Sequence, residues 1–152
     1  MSLQQATPSH IPQMQIVRNA VTENVLSNPA LISDADYVPF ITTNGQGWVY
    51  SINHTVVGFA IVDMQHHNVW ALFVLPQYAK QGIGKQLHQA MLQWYFSQTN
   101  HTLWLGTEPG TRAYTFYQTQ GWAQVGLHDT TEIKFEMSYG KWLSLQTVKN
   151  GE

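Results

Sequence analysis

Lys80 and Lys85 bracket the segment in which chemistry is densest, in a chain with only seven cations. There the apolar run Val69 to Leu75 gives way to Pro76, and Gln81-Gly82-Ile83-Gly84 opens a helix. Glycines at such a turn let backbone N–H groups converge on one point, and the helix N-terminus adds partial positive charge, so the segment can hold an anion. The two lysines fit that reading, because cations at a helix start oppose the dipole unless an anion meets them. The spacing is not the dinucleotide fingerprint, which needs a third glycine and an acidic residue about 20 positions later. Nor is it a P-loop, since no Gly-Lys-Ser/Thr follows a first glycine at the required distance. On this motif alone an ordinary helix entry competes with the anion site.

Other chemistries are excluded or weakly supported. The chain has no cysteine, which removes a thiol nucleophile, a thiolate zinc site and a disulfide framework. His66 and His67 are adjacent and face opposite ways on an extended segment, a poor metal pair, so no metal is expected. Only 11% of residues are charged and the net charge is -2, which offers no basic stripe for a nucleic acid. A phosphate site must therefore be built largely from backbone. The start Met1-Ser2-Leu3-Gln4-Gln5 does not read as a signal peptide, and Val69 to Leu75 falls far short of the roughly 20 apolar residues that span a bilayer. A cytoplasmic protein without a membrane partner is the expectation.

The elements that must position the loop can be read from periodicity. Residues 1–8 supply a short strand. Ser9 as N-cap, Pro12, and apolar Ile11, Met14, Val17 and Val21 predict a helix over about 10–24, broken by Asn28-Pro29. Ser33-Asp34-Ala35-Asp36 caps a second helix reaching about Thr42, and Asn44-Gly45-Gln46-Gly47 reads as a turn. Trp48 to Ile52 and Val56 to Asp63 form a hairpin across Asn53-His54-Thr55. After the turn at Gln65-His66-His67-Asn68, Val69 to Leu75 reads as a strand buried on both faces. A helix over about 82–98 turns Ile83, Leu87, Ala90, Met91 and Trp94 inward. A strand near 102–107, a helix near 110–120 and strands near 122–127 and 132–137 follow, and the last dozen residues are ambiguous. Strands first meander and then alternate with helices, so the class is mixed α and β around one sheet.

The run Phe73-Val74-Leu75-Pro76-Gln77-Tyr78-Ala79-Lys80-Gln81-Gly82-Ile83-Gly84-Lys85 resembles motif A of the GNAT superfamily of N-acetyltransferases. There a strand ending in Val-x-Pro precedes Gln/Arg-x-x-Gly-x-Gly/Ala. Ala79 departs from the usual Gln or Arg, which removes a side-chain contact but no backbone donor. A second match is Ala113-Tyr114-Thr115-Phe116-Tyr117-Gln118-Thr119-Gln120-Gly121-Trp122, similar to the family's later Ala-x-x-Phe/Leu-Tyr-x-x-x-Gly-Phe segment. Gly110 stands where the family often has Asn. The resemblance covers roughly Trp48 to Leu127.

It implies a mostly antiparallel, twisted sheet of about six to seven strands flanked by about four helices, splayed between the fourth and fifth strands. It implies one domain, with an acceptor side at 1–45, a cofactor-binding core at 46–127 and a C-terminal strand and tail at 128–152. Acetyl-CoA would bind the backbone of Leu72, Phe73 and Val74, the loop Ala79, Lys80, Gln81, Gly82, Ile83, Gly84 and Lys85, and Gly110, Ala113 and Phe116. Tyr117 matches the tyrosine that protonates the departing sulfur, against a competing reading as a core residue on one stripe with Ala113 and Phe116. Tyr114 lies off that stripe, as a structural or substrate-facing residue. For the base, Glu108 stands first among Glu108, Asp63, the turn histidines and an ordered water.

The implied activity is direct acetyl transfer to a primary amine of a small molecule or peptide, through a ternary complex. The other reading is a non-catalytic CoA-binding sensor of the same fold. Asp34, Asp36, Tyr37 and Trp48 could meet a cationic acceptor, although capping and core packing explain them more simply. Six tryptophans in a small domain point to aromatics lining a cleft or a subunit interface, so a homodimer is among the expectations.

Overall fold

The structure, a computed structural model, describes residues 2–21, 32–128 and 131–151. It packs as two compact units, residues 1–95 and 96–152.

In the first unit, β1 (Ser2–Gln5), β2 (Gly45–Ile52), β3 (Thr55–Asp63) and β4 (Asn68–Val74) pair antiparallel in that order. α1 (Ile11–Ala20) and α2 (Asp34–Ile41) bury Met14, Val17, Tyr37 and Ile41 in one cluster with Val49, Phe59 and Ile61 of the sheet. α2 starts as its sequence predicts. Ser33 accepts the Asp36 N–H at 3.3 Å, and Asp36 returns a bond to the Ser33 N–H at 2.8 Å. The β2–β3 connection tightens to two residues, Asn53 and His54, both at positive φ (52° and 66°), as a twisted hairpin requires. α3 (Ile83–Gln98) buries Ile83, Leu87, His88, Met91, Leu92 and Tyr95, a wider face than the expected stripe, with Ala90 and Trp94 only half-buried.

Three expectations for this unit change. Ser9 does not cap α1; it lies inside a 3-10 turn, Pro8–His10, in which the Thr7 N–H bonds to His10 Nδ1 at 3.0 Å. α1 ends at Ala20, and Asn28-Pro29 with residues 22–24 lie outside the described residues. Gly45, Gln46 and Gly47 belong to β2 rather than to a turn. Their glycines serve close packing: a Cβ on Gly45 would stand 2.0 Å from the Val62 carbonyl oxygen, and one on Gly47 3.0 Å from the Ile41 side chain.

In the second unit, β5 (Leu103–Thr107), β6 (Ala123–Leu127) and β7 (Ile133–Met137) pair antiparallel in the order β5-β7-β6. α4 (Arg112–Thr119) connects β5 to β6. The segment expected to end as a tail forms α5 (Tyr139–Gly151), whose first turn is tied by the Lys141 N–H to Ser138 Oγ at 3.1 Å. Trp142 of α5 stacks on Phe96 at 5.2 Å between centroids. The described residues thus hold seven strands and five α-helices, a mixed α and β architecture with one helix more than expected. Among them no helix is long and apolar enough to cross a membrane, and no group of three or more His, Asp or Glu could hold a metal.

Candidate active site

β4 is not buried on both faces. Only Ala71 is buried, while Leu72, Phe73 and Val74 are half-exposed, because β3 takes the fully buried place beside it. The strand therefore keeps surface available along the stretch expected to meet a ligand. Its exit is held by the Leu75 N–H to Val57 O at 2.8 Å, and Pro76–Tyr78 follows as a 3-10 turn closed by the Ala79 N–H to Pro76 O at 3.1 Å.

Lys80 then takes φ 64° and Gly82 φ 82°. A Cβ on Gly82 would meet nothing within 4 Å, so the glycine is there for its left-handed backbone and not for lack of room. The first helical bond of α3 runs from the Gln86 N–H to Gly82 O at 3.0 Å. Ile83, Gly84 and Lys85 come before it, so their N–H groups have no partner within the helix and point out of its N-terminus. Ile83 is buried and anchors this turn, whereas Lys80, Gln81, Gly82 and Lys85 are exposed and Ala79 and Gly84 half-buried. The loop presents backbone donors, positive dipole and two cations on one exposed turn, which is chemistry suited to a polyanion.

In the second unit, β5 ends at Thr107, and Glu108, Pro109 and Gly110 are exposed, with Gly110 at φ 81°. Thr111 caps α4: its Oγ1 accepts the Tyr114 N–H at 3.1 Å. Tyr117 is the buried residue of α4, and Ala113 and Phe116 are half-buried beside it. Its ring lies 5.4 Å from Phe116, 5.5 Å from Trp122 and 6.3 Å from Phe135. Burial pushes the Tyr117 phenol well above the ordinary tyrosine range, so it holds its proton throughout neutral pH. Tyr114 donates its hydroxyl to Gln124 Oε1 at 2.7 Å and packs on Phe135.

Residues 14–122 match the model of the acetyltransferase (GNAT) family. The chain belongs to that family. The peptidyl-lysine N-acetyltransferase YiaC of Escherichia coli (strain K12) is 26% identical over 117 residues, 74% of this chain and 77% of that protein. Among solved structures, the PaiA N-acetyltransferase of Thermoplasma acidophilum in complex with coenzyme A aligns with TM-score 0.79 and 14% identity. That alignment covers 91% of this chain and all of the other. The ribosomal-protein-S18-alanine N-acetyltransferase of Escherichia coli aligns with TM-score 0.70 and 16% identity over 90% of each chain. This member of the GNAT family is an acyltransferase.

Several other residues weighed as site candidates have local duties. Asp63 is buried and accepts the Gln65 N–H at 2.9 Å and the His66 ring Nδ1 at 2.7 Å, which is turn chemistry. His67 Nδ1 meets the Tyr95 hydroxyl at 2.9 Å. Asp36 is spent on the capping box, and Trp48 packs edge-on against Trp94.

Sequence reasoning passed over Arg18, which is 9% exposed inside the apolar cluster of the first unit. The signal was available, because Arg18 stands four residues after Met14 and seven after Ile11, at a core position of the α1 stripe.

Proposed function

We propose that this GNAT protein transfers acetyl directly from acetyl-CoA to a primary amine of a small molecule or peptide, within a ternary complex and a single domain. The observation that supports this most is the glycine entry to α3, where the helix's first N–H groups, which have no partner within the helix, stand beside Lys80 and Lys85. The N–H groups around Gln81 to Lys85 would hold the pyrophosphate. The half-exposed strand Leu72 to Val74 would carry the pantetheine arm and thioester, with Gly110, Ala113 and Phe116 also against the cofactor. Residues 1–45 would serve the acceptor.

The neutral amine nitrogen attacks the thioester carbonyl, forming a C–N bond and a tetrahedral oxyanion that backbone donors stabilise. Collapse breaks the C–S bond, and the departing thiolate takes the Tyr117 phenolic proton. The proton lost by the nitrogen passes to Glu108 or to water, and solvent restores the phenol. Tyr117 suits the donor role because burial raises its pKa and keeps it protonated at neutral pH. No cysteine is present to carry the acetyl group, which favours direct transfer.

The test is thiol release from acetyl-CoA across small amines and lysine peptides, with the acetylated product identified by mass. Turnover with at least one primary amine is expected. Saturable acetyl-CoA binding with no turnover on any amine would favour a sensor over an enzyme.

A further inference from the structure

The first unit contains a buried cation with no ion-pair partner among the described residues. Arg18 sits with its guanidinium carbon 4.9 Å from the Trp70 ring centroid, 5.0 Å from Phe73 and 5.6 Å from Tyr37. Its Nε donates to the Tyr37 hydroxyl at 2.9 Å, that hydroxyl donates to Gln15 Oε1 at 2.9 Å, and Gln15 Nε2 donates to the Ile32 carbonyl at 2.6 Å. This relay satisfies one donor of the guanidinium. Nη2 is buried without a hydrogen-bond partner, and no carboxylate pairs with Arg18 among the described residues.

Aromatic faces return only part of what desolvating a guanidinium costs, and the remainder is ordinarily supplied by a carboxylate. The position is also specific. Trp70 and Phe73 stand on β4, Phe73 belongs to the stretch assigned to the thioester arm, and both rings are only half-buried. The cation therefore lies under side chains that reach solvent, next to the strand along which an acceptor amine must approach.

We propose that Arg18 is a specificity-determining residue that receives a carboxylate carried by the acceptor, close to the amine to be acetylated. The acceptor class is then an amine bearing a carboxylate, either a free amino acid type of molecule or a lysine peptide with an acidic neighbour. This rests on the acetyltransferase reading above. Removal of Arg18 orphans no buried carboxylate, and Tyr37 keeps Gln15 as its acceptor, so Arg18→Met is expected to fold.

The experiment compares matched acceptors: ω-amino acids against their amides, and lysine peptides with Glu or Gln beside the lysine. In one of the two pairs, wild type is expected to favour the carboxylate form at least tenfold in kcat/KM, mainly through KM. Arg18→Met should erase the preference with acetyl-CoA affinity unchanged, and Arg18→Lys should retain part of it. A second readout needs no turnover: the carboxylate compound, but not its amide, should raise the Tm of wild type and fail to raise that of Arg18→Met. Equal use of both forms in both pairs together with no selective Tm rise overturns the proposal, as does a preference that survives in Arg18→Met. Absence of turnover on every amine, with the selective Tm rise intact, refutes the catalytic reading and leaves the carboxylate site standing.

Discussion

Thr111 Oγ1 donates a hydrogen bond to the main-chain oxygen of Glu108 at 2.9 Å. Thr111 Oγ1 itself accepts the Tyr114 N–H, so one hydroxyl ties the end of β5 to the first turn of α4. The two residues proposed to move protons, Glu108 and Tyr117, lie on either side of that knot. Thr111→Ala is expected to cost about 0.5–2 kcal/mol of stability, as loss of an N-cap does, and Thr111→Ser to restore most of it. Denaturation midpoints of the two variants check this.

Tyr117→Phe keeps the ring packing on Phe116, Trp122 and Phe135 and removes only the hydroxyl. A lost general acid typically costs on the order of 10²-fold or more in rate. The expected outcome is a kcat lowered by about that factor with acetyl-CoA affinity within a few-fold of wild type. A variant as fast as wild type would assign thiolate protonation to another group.

Glu108→Gln is expected to lower kcat/KM by about tenfold to 10²-fold, the smaller end reflecting water as a competing proton acceptor. Steady-state kinetics at several pH values measure it. An unchanged rate at all of them hands the base role to water.

Much of this chemistry was legible because short-range rules control it. The capping box of Ser33 and Asp36, the glycine entry to α3 and the inward Tyr117 follow from local residue types at fixed spacing. The readings that failed depend on distant partners. Gly45 and Gly47 look like turn residues until the Val62 carbonyl and the Ile41 side chain show why a Cβ is excluded. Arg18 stands on the buried stripe of α1, but the three rings around it come from α2 and β4, which its local sequence does not show. α5 carries Gly140 and a weakly patterned sequence, and packing such as that of Trp142 on Phe96 accompanies its helical form. The half-exposure of β4 could not be read from Val69 to Leu75, since an apolar run alone does not reveal which strand takes the central place.

Burial raises the phenol pKa of Tyr37 and Tyr117, and pushes that of Tyr95 to about 12, whereas unfolded tyrosines titrate near 10. A raised folded pKa means that the stabilisation is intact below pH 10 and is lost as pH climbs through the folded values. The Tm is therefore expected to fall between about pH 10 and pH 12, and less steeply in Tyr95→Phe. Melting curves across that window decide it; equal slopes for the two proteins would remove Tyr95 from the account.

The claim that the backbone at the start of α3 holds acetyl-CoA is tested most directly by calorimetric titration of wild type and Gly82→Val. Wild type should bind saturably. Gly82→Val, strained at φ 82°, should stay folded and bind at least about tenfold more weakly, a loss of ~1.4 kcal/mol. Equal affinity in the two proteins would contradict the assignment of this loop.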